Sequence, residues 1–256
     1  MRTVAVTRYV TPLREGGSLP ALVEADDDGL YVLKFRAAGH GTRALVAELI
    51  AGELARVLGL PVPEIVFASL DRELSRTEPD PEIHQLMHDS AGLNLGVDFL
   101  PGSLAFDPIA HTIDAALASS IVWFDALIAN VDRTARNTNM LWWHRKPWII
   151  DHGSSLYFHH TPGWERQPHR ATDSFPAVRE HVLLRSATQL EARDEPMAAL
   201  LRPEDIDRVL SLVPEAWLTA DGASADAATL RAAYRRYFVE RLEPPRRFAE
   251  EAIRAR

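Results

Sequence analysis

An apolar helical pattern runs through Ile109, Ile113, Leu117, Ile121, Phe124 and Ile128, at the spacing of one buried helix face. It stops at Asn130-Val131-Asp132, where a polar loop takes over as far as Asn137. A helix that ends in this way holds its last side chains beyond the packed core. Asp107 reads as its cap and Pro108 as its first helical residue. The aromatic stretch that follows, with Trp142, Trp143 and Trp148, reads as a hairpin. Its strands are Asn139–His144 and Trp148–Asp151, and it turns at Arg145-Lys146-Pro147. Helix, loop and hairpin together hold Asp132, Asn137 and Asp151 at three points of one scaffold.

Around this centre the chain is strand-rich early and helix-rich late, an α+β arrangement. Residues 3–35 read as strands joined by turns, and Ile65–Leu70 and Asn94–Leu100 as further strands. Thr42–Leu58 is an amphipathic helix stopped by Gly59, and Leu60-Pro61-Val62-Pro63 forces extended chain. Residues 71–82 read as a surface loop, with a short helix over Pro81–His88. Residues 154–180 are irregular; helical patterns return at Pro203–Val213, at Ala227–Leu242 and from Pro245.

Composition narrows the function. At 256 residues, with 46% hydrophobic and 25% charged residues, the chain can bury a full core and is not disordered. A net charge of -8 argues against nucleic-acid binding through general phosphate attraction. The absence of cysteine excludes disulfides, thiolate chemistry and Cys-ligated zinc. No run is long and apolar enough to span a bilayer, and the N-terminus lacks a signal-peptide pattern. A cytoplasmic protein with no membrane partner is the expectation.

The three polar residues suit phosphoryl transfer, which needs cations against the phosphates and a carboxylate that orients the attacking oxygen. Asp132 is placed to accept a hydrogen bond from a substrate hydroxyl. Asn137 and Asp151 offer the hard oxygens that Mg²⁺ prefers. Asp and Asn are common in turns, but these lie between an apolar helix and an aromatic hairpin. Earlier in the chain, Gly16-Gly17-Ser18 forms a turn whose backbone can approach phosphate oxygens. Lys34 sits in the strand Tyr31-Val32-Leu33-Lys34-Phe35, where alternation alone would send it to solvent. Glu48 follows on the first helix, where it could hold the Lys34 ammonium. The histidines His152, His159, His160 and His169 lack the spacing of a zinc site.

These residues resemble the HipA-like kinase family, relatives of the phosphoinositide kinases. The likeness is carried by Tyr31–Phe35, by the helix with Ala47-Glu48 that ends in Leu58-Gly59-Leu60-Pro61-Val62-Pro63, by the loop Asp132–Asn137 and by Ile150-Asp151. It implies a bilobal protein-kinase-like fold. Residues 1–100 would form a nucleotide-binding lobe, an antiparallel sheet plus a helix, and residues 101–256 a mainly helical catalytic and substrate lobe. The cofactors implied are ATP and Mg²⁺. Gly16, Gly17, Ser18, Lys34, Glu48, Val97 and Phe99 would serve the nucleotide, with adenine beside Leu95–Leu100. Asp132 would be the catalytic acidic residue, Arg136 (and less directly Arg133) would neutralise transition-state charge, and Asn137 and Asp151 would bind metal. The expected acceptor is a Ser or Thr hydroxyl of a protein. The alternatives are a small-molecule or lipid kinase of the same fold and a nucleotide-binding pseudokinase. Two departures stand out. The chain starts almost directly in the first lobe, so an antitoxin partner is not indicated. His152 stands where ordinary protein kinases place Phe, so their aromatic switch is not carried over.

Overall fold

Val4 and Val6 open an alternation of buried and exposed residues that makes Thr3–Pro12 the first strand, β1. β2 (Ala21–Ala25) and β3 (Leu30–Lys34) repeat the period-two pattern, which puts one face of each strand in a core. The computed structural model describes residues 1–13, 19–39, 41–220, 222–223 and 225–256. Gly16, Gly17 and Ser18 lie outside the described residues. The chain divides into two compact units, Met1–Leu45 with Pro63–Pro101 and Val46–Val62 with Gly102–Arg256. The first helix, α1 (Gly41–Val57), crosses that division.

In the first unit β4 (Ile65–Leu70) and β5 (Gly92–Asp98) join the early strands in a closed barrel of order β1-β2-β3-β5-β4. The expected antiparallel sheet is therefore corrected: β1 and β4 pair in parallel. The reason is parity. Direction reverses at every other neighbour of the ring, and with an odd number of strands the pair that closes it must run the same way. Val4, Val6, Val23, Tyr31, Leu33, Val66 and Ala68 fill the interior. The short helix α2 (Pro81–Asp89), capped by Asp80, adds Ile83 and Met87 to that core. A 3₁₀ turn, Arg72–Thr77, occupies part of the stretch read as loop. Outside the barrel, Arg2 bonds Glu64 (3.0 and 3.1 Å), the Tyr31 hydroxyl (2.6 Å) and Asp27, tying the start of β1 to a turn and to the approach to β4.

In the second unit α1 ends at a left-handed glycine: Gly59 has φ +68. Its N–H reaches the Arg56 carbonyl (3.1 Å) and that of Leu60 the Ala55 carbonyl (2.9 Å), a paired closure that satisfies the helix's last acceptors. A small sheet combines β6 (Leu104–Ala105), β7 (Met140–Trp143) and β8 (Lys146–Ile149). The rest is helical: α3 (Ala115–Leu127), α4 (Leu190–Leu200), α5 (Pro203–Ser211), α6 (Glu215–Leu218), α7 (Ala227–Leu242) and α8 (Arg247–Ala255). Helix α3 is buried from Ala118 to Leu127 and packs on α4 and α8, with Trp123 edge-on to Phe248. The irregular stretch 154–180 holds four 3₁₀ turns. Among the described residues no helix is long and apolar enough to cross a membrane.

Two sequence expectations in this unit are corrected. Helix α3 begins at Ala115, not Pro108, because Asp114 accepts from the N–H groups of Ala116 (2.9 Å) and Leu117 (3.1 Å). Asp107 caps only a separate turn through Ile109 N–H (2.8 Å), beside a stack of His111 on Trp142. The hairpin turns at His144-Arg145, since Trp143 already pairs with Lys146. Both turn residues have positive φ, 47 and 63, as a two-residue turn matched to strand twist requires.

Candidate active site

Helix α3 stops where Ala129 swings to φ +51 and Asn130 N–H returns to the Asp125 carbonyl (2.9 Å). This left-handed closure usually falls to glycine, and an alanine there costs about 1–2 kcal/mol. What holds it is a set of partners for the last carbonyls. Arg241 donates to Leu127 (2.9 Å) and Ala126 (2.9 Å), the Tyr237 hydroxyl to Leu127 (3.1 Å), and Leu156 N–H to Ile128 (2.8 Å). A cation at a helix C-terminus also opposes the helix dipole. Burial raises the Tyr237 phenol to about 12, so it stays protonated and keeps donating.

Asp125 lies on the last turn of α3 with no exposed surface. Its Oδ1 accepts from Asn130 Nδ2 (2.9 Å), and its Oδ2 from Arg133 Nε (2.6 Å) and His181 Nε2 (2.8 Å). Burial pushes this carboxyl's pKa up, but Arg133 and then His181 outweigh that and hold it well below the usual carboxylate range. Arg133 continues outward to the carbonyls of Asn139 and Ile150 (3.2 Å to the latter). One guanidinium thus ties the helix end, the loop and the segment entering Asp151. Arg133 is itself buried, which leaves it no surface to offer a substrate.

On that support, Asp132 Oδ2 accepts from Asn137 Nδ2 (2.9 Å) and Asn139 Nδ2 (3.1 Å). Asp132 N–H in turn reaches Asn130 Oδ1 (3.1 Å). The loop is closed by Thr134 N–H on the Asn137 carbonyl (2.8 Å). Asp151 follows Ile150, whose N–H bonds the Asn139 carbonyl (3.0 Å), and takes φ +56, a conformation that Asp tolerates better than most residues. Arg136 is exposed on the loop. Next to Asp151, His152 is buried, with Nδ1 3.7 Å from a buried Glu48 carboxylate oxygen and its ring edge-on to Phe124. Among the described residues no three His, Cys, Asp or Glu side chains gather as a metal centre. Of the later histidines, His159 is buried and meets the Tyr234 hydroxyl (2.8 Å) and His160 Nε2 (3.2 Å).

Asp132 and Asn137 are therefore brought into contact, and Arg133 holds the Ile150 carbonyl that immediately precedes Asp151. Lys34, Val97 and Phe99 belong to the first unit. Lys34 shares the half-buried face of β3 with Leu30 and Val32, opposite Tyr31 and Leu33 in the core. Val97 is buried and pairs with Val32 and Ile65. The N–H groups of Asp98 and Phe99 bond Glu64 (2.8 Å) and Leu30 (2.9 Å). Sequence reasoning missed Asn139, Asn130, Asp125 and His181. Asp125 was findable, because an acid inside an apolar helix demands a buried partner.

A model of the HipA-like kinases matches residues 6–246. The chain belongs to the HipA-like kinase family. It is a kinase, a phosphotransferase. Among solved structures, the Helicobacter pylori proinflammatory kinase CtkA shares its fold with a TM-score of 0.58 at 12% identity, over 98% of this chain and 99% of that one. The Golgi casein kinase with Mn/ADP bound gives a TM-score of 0.47 at 15% identity, over 94% of this chain and 74% of that one. No curated protein matches the chain. The matched span takes in both the Asp125 cluster and the loop from Asp132 to Asn137.

Proposed function

We propose that this HipA-like kinase transfers the γ-phosphoryl group of Mg-ATP to a Ser or Thr hydroxyl of a protein. The observation that carries the reading is the held Asp132 carboxylate. Both amide bonds fall on Oδ2, so Oδ1 is oriented and available to accept from the incoming hydroxyl. General-base or orienting groups of this kind contribute about 10²–10⁴-fold. The same bonds suit a cation. With Nδ2 of Asn137 committed to Asp132, its Oδ1 remains as a hard donor, and Asp151 adds a charged one. The chemistry supplied by a bound Mg²⁺ is the bridging and neutralisation of phosphate oxygens. Arg136 is assigned to charge on the transferred group, Lys34 to the α- and β-phosphates and the Val97–Phe99 stretch to adenine. The protein acceptor is drawn from the family likeness.

The deciding experiment incubates the protein with Mg-ATP, alone and with a cell extract, followed by intact mass and phosphosite mapping. Phosphoserine or phosphothreonine on this chain or on an extract protein is expected, and Asp132→Ala should lower it about 10²-fold or more while ATP still binds. Asn137→Ala and Asp151→Ala should each abolish Mg-dependent turnover. A phosphorylated metabolite beside unmodified proteins would move the acceptor to a small molecule. No transfer to anything would sink the reading.

A further inference from the structure

We infer that His181 is a positioning residue for the catalytic loop, acting through Asp125 and Arg133 on Asp132. It is buried and follows the last of the 3₁₀ turns, Pro176–Glu180. Its Nδ1 accepts the Leu183 N–H (3.0 Å), so the ring proton sits on Nε2, where it is given to Asp125 Oδ2 (2.8 Å). That oxygen also takes Arg133 Nε (2.6 Å). Arg133 adjoins Asp132 in the chain, and its other arm holds the carbonyls of Asn139, whose side chain is the second Asp132 amide, and of Ile150, which precedes Asp151. The backbone repeats the link: Val182 N–H bonds the Arg133 carbonyl (3.1 Å), and Thr134 bridges to His181. Loss of the Nε2 donor removes one of the Oδ2 bonds, frees the Asp125 carboxylate to turn, and lets the Arg133 fork turn with it. Reacting groups displaced by about 1 Å lose on the order of 10²-fold in rate.

The imidazole presents an acceptor and a donor, and two amide side chains separate them. His181→Gln can place an N–H where Nε2 lies and keep the Asp125 bond. His181→Asn can place an oxygen where Nδ1 lies and keep only the Leu183 bond. The kinetic arm rests on the phosphotransferase reading; the exchange arm does not. In the first, His181→Asn should lower kcat about 30-fold with the ATP KM unchanged within about 2-fold, and His181→Gln should stay within about 3-fold of the parent. In the second, amide hydrogen exchange of the ligand-free full chain should quicken at Asp132, Thr134 and Asn137 in His181→Asn but not in His181→Gln, with α3 protected in both. Equal behaviour of the two variants, an unchanged loop in His181→Asn, or loss of protection that spreads through α3 would overturn the assignment. If the parent transfers no phosphate, the proposed function fails while the exchange data still decide His181.

Discussion

Asp125 is the residue on which the loop depends, and its replacement should show it. Asp125→Asn leaves the Arg133 guanidinium buried without its counter-charge, a change expected to cost about 3–5 kcal/mol, read from urea unfolding. Asp27 makes a milder test by pH. Arg2 foremost, then the Tyr31 hydroxyl, lowers its pKa from 3.8 to about 2. A lowered carboxylate pKa stabilises the fold above the unfolded value and stops doing so as pH falls through the folded one. The Tm gap between the parent and Asp27→Asn should therefore be constant above about pH 5 and shrink as pH falls through 3.8 towards about 2. A gap independent of pH would contradict the ion pair. Asp132 and Asn137 were legible as members of one loop, and the structure brings them into contact; Asp151 was legible as the end of the hairpin, where Arg133 holds the preceding Ile150 carbonyl. Asn139 was hidden by its place at the head of a strand. His181 lies 56 residues from its partner, a distance that no local pattern spans.

Among the elements, those with unbroken periodicity and a clear stop were legible: β4 runs over the residues expected, α7 likewise, and α1 ends at Gly59 as read. The apolar period misled where it continued past a better cap. Ile109 keeps the spacing of α3 but is 95% exposed, because Asp114 offers its carboxylate to the helix and Asp107 to a turn. Helix α4 was missed for the opposite reason. Pro196 inside it reads as a breaker, yet Asp194 takes Trp123 Nε1 (2.7 Å) and Arg246 Nη1 (3.0 Å), and Arg193 reaches Ser120 Oγ (3.0 Å), so tertiary bonds carry the helix. The hairpin provides the prediction at this scale. His144 and Arg145 both hold positive φ, at about 1–2 kcal/mol each for residues with a Cβ. The double change His144→Asn, Arg145→Gly should raise Tm by about 2–4 °C for each kcal/mol relieved, with β7 and β8 otherwise unchanged in amide exchange.

At the scale of the whole molecule, the strands-then-helices order gave the α+β class, whereas the barrel's closure was out of reach of any strand list. Its parallel pair joins Thr3–Ala5 to Phe67–Ser69, and between them the chain leaves the first unit at Leu45 and re-enters at Pro63. The excursion is not a linker. Val46, Ala47, Leu49, Ile50 and Leu54 are buried, and they belong to the second unit. Residues 1–101 expressed alone should therefore bind a hydrophobic dye and aggregate. The same span with residues 46–62 replaced by a Gly/Ser linker of equal length should do so far less, and equal dye binding by both would refute the assignment of the helix. For a lineage exchanging parts by recombination, the barrel is not a cassette. A single crossover near Pro101 would carry Val46–Val62 into a host whose core was shaped around a different helix, so the barrel and the helix threaded through its sequence must be inherited, or redesigned, together.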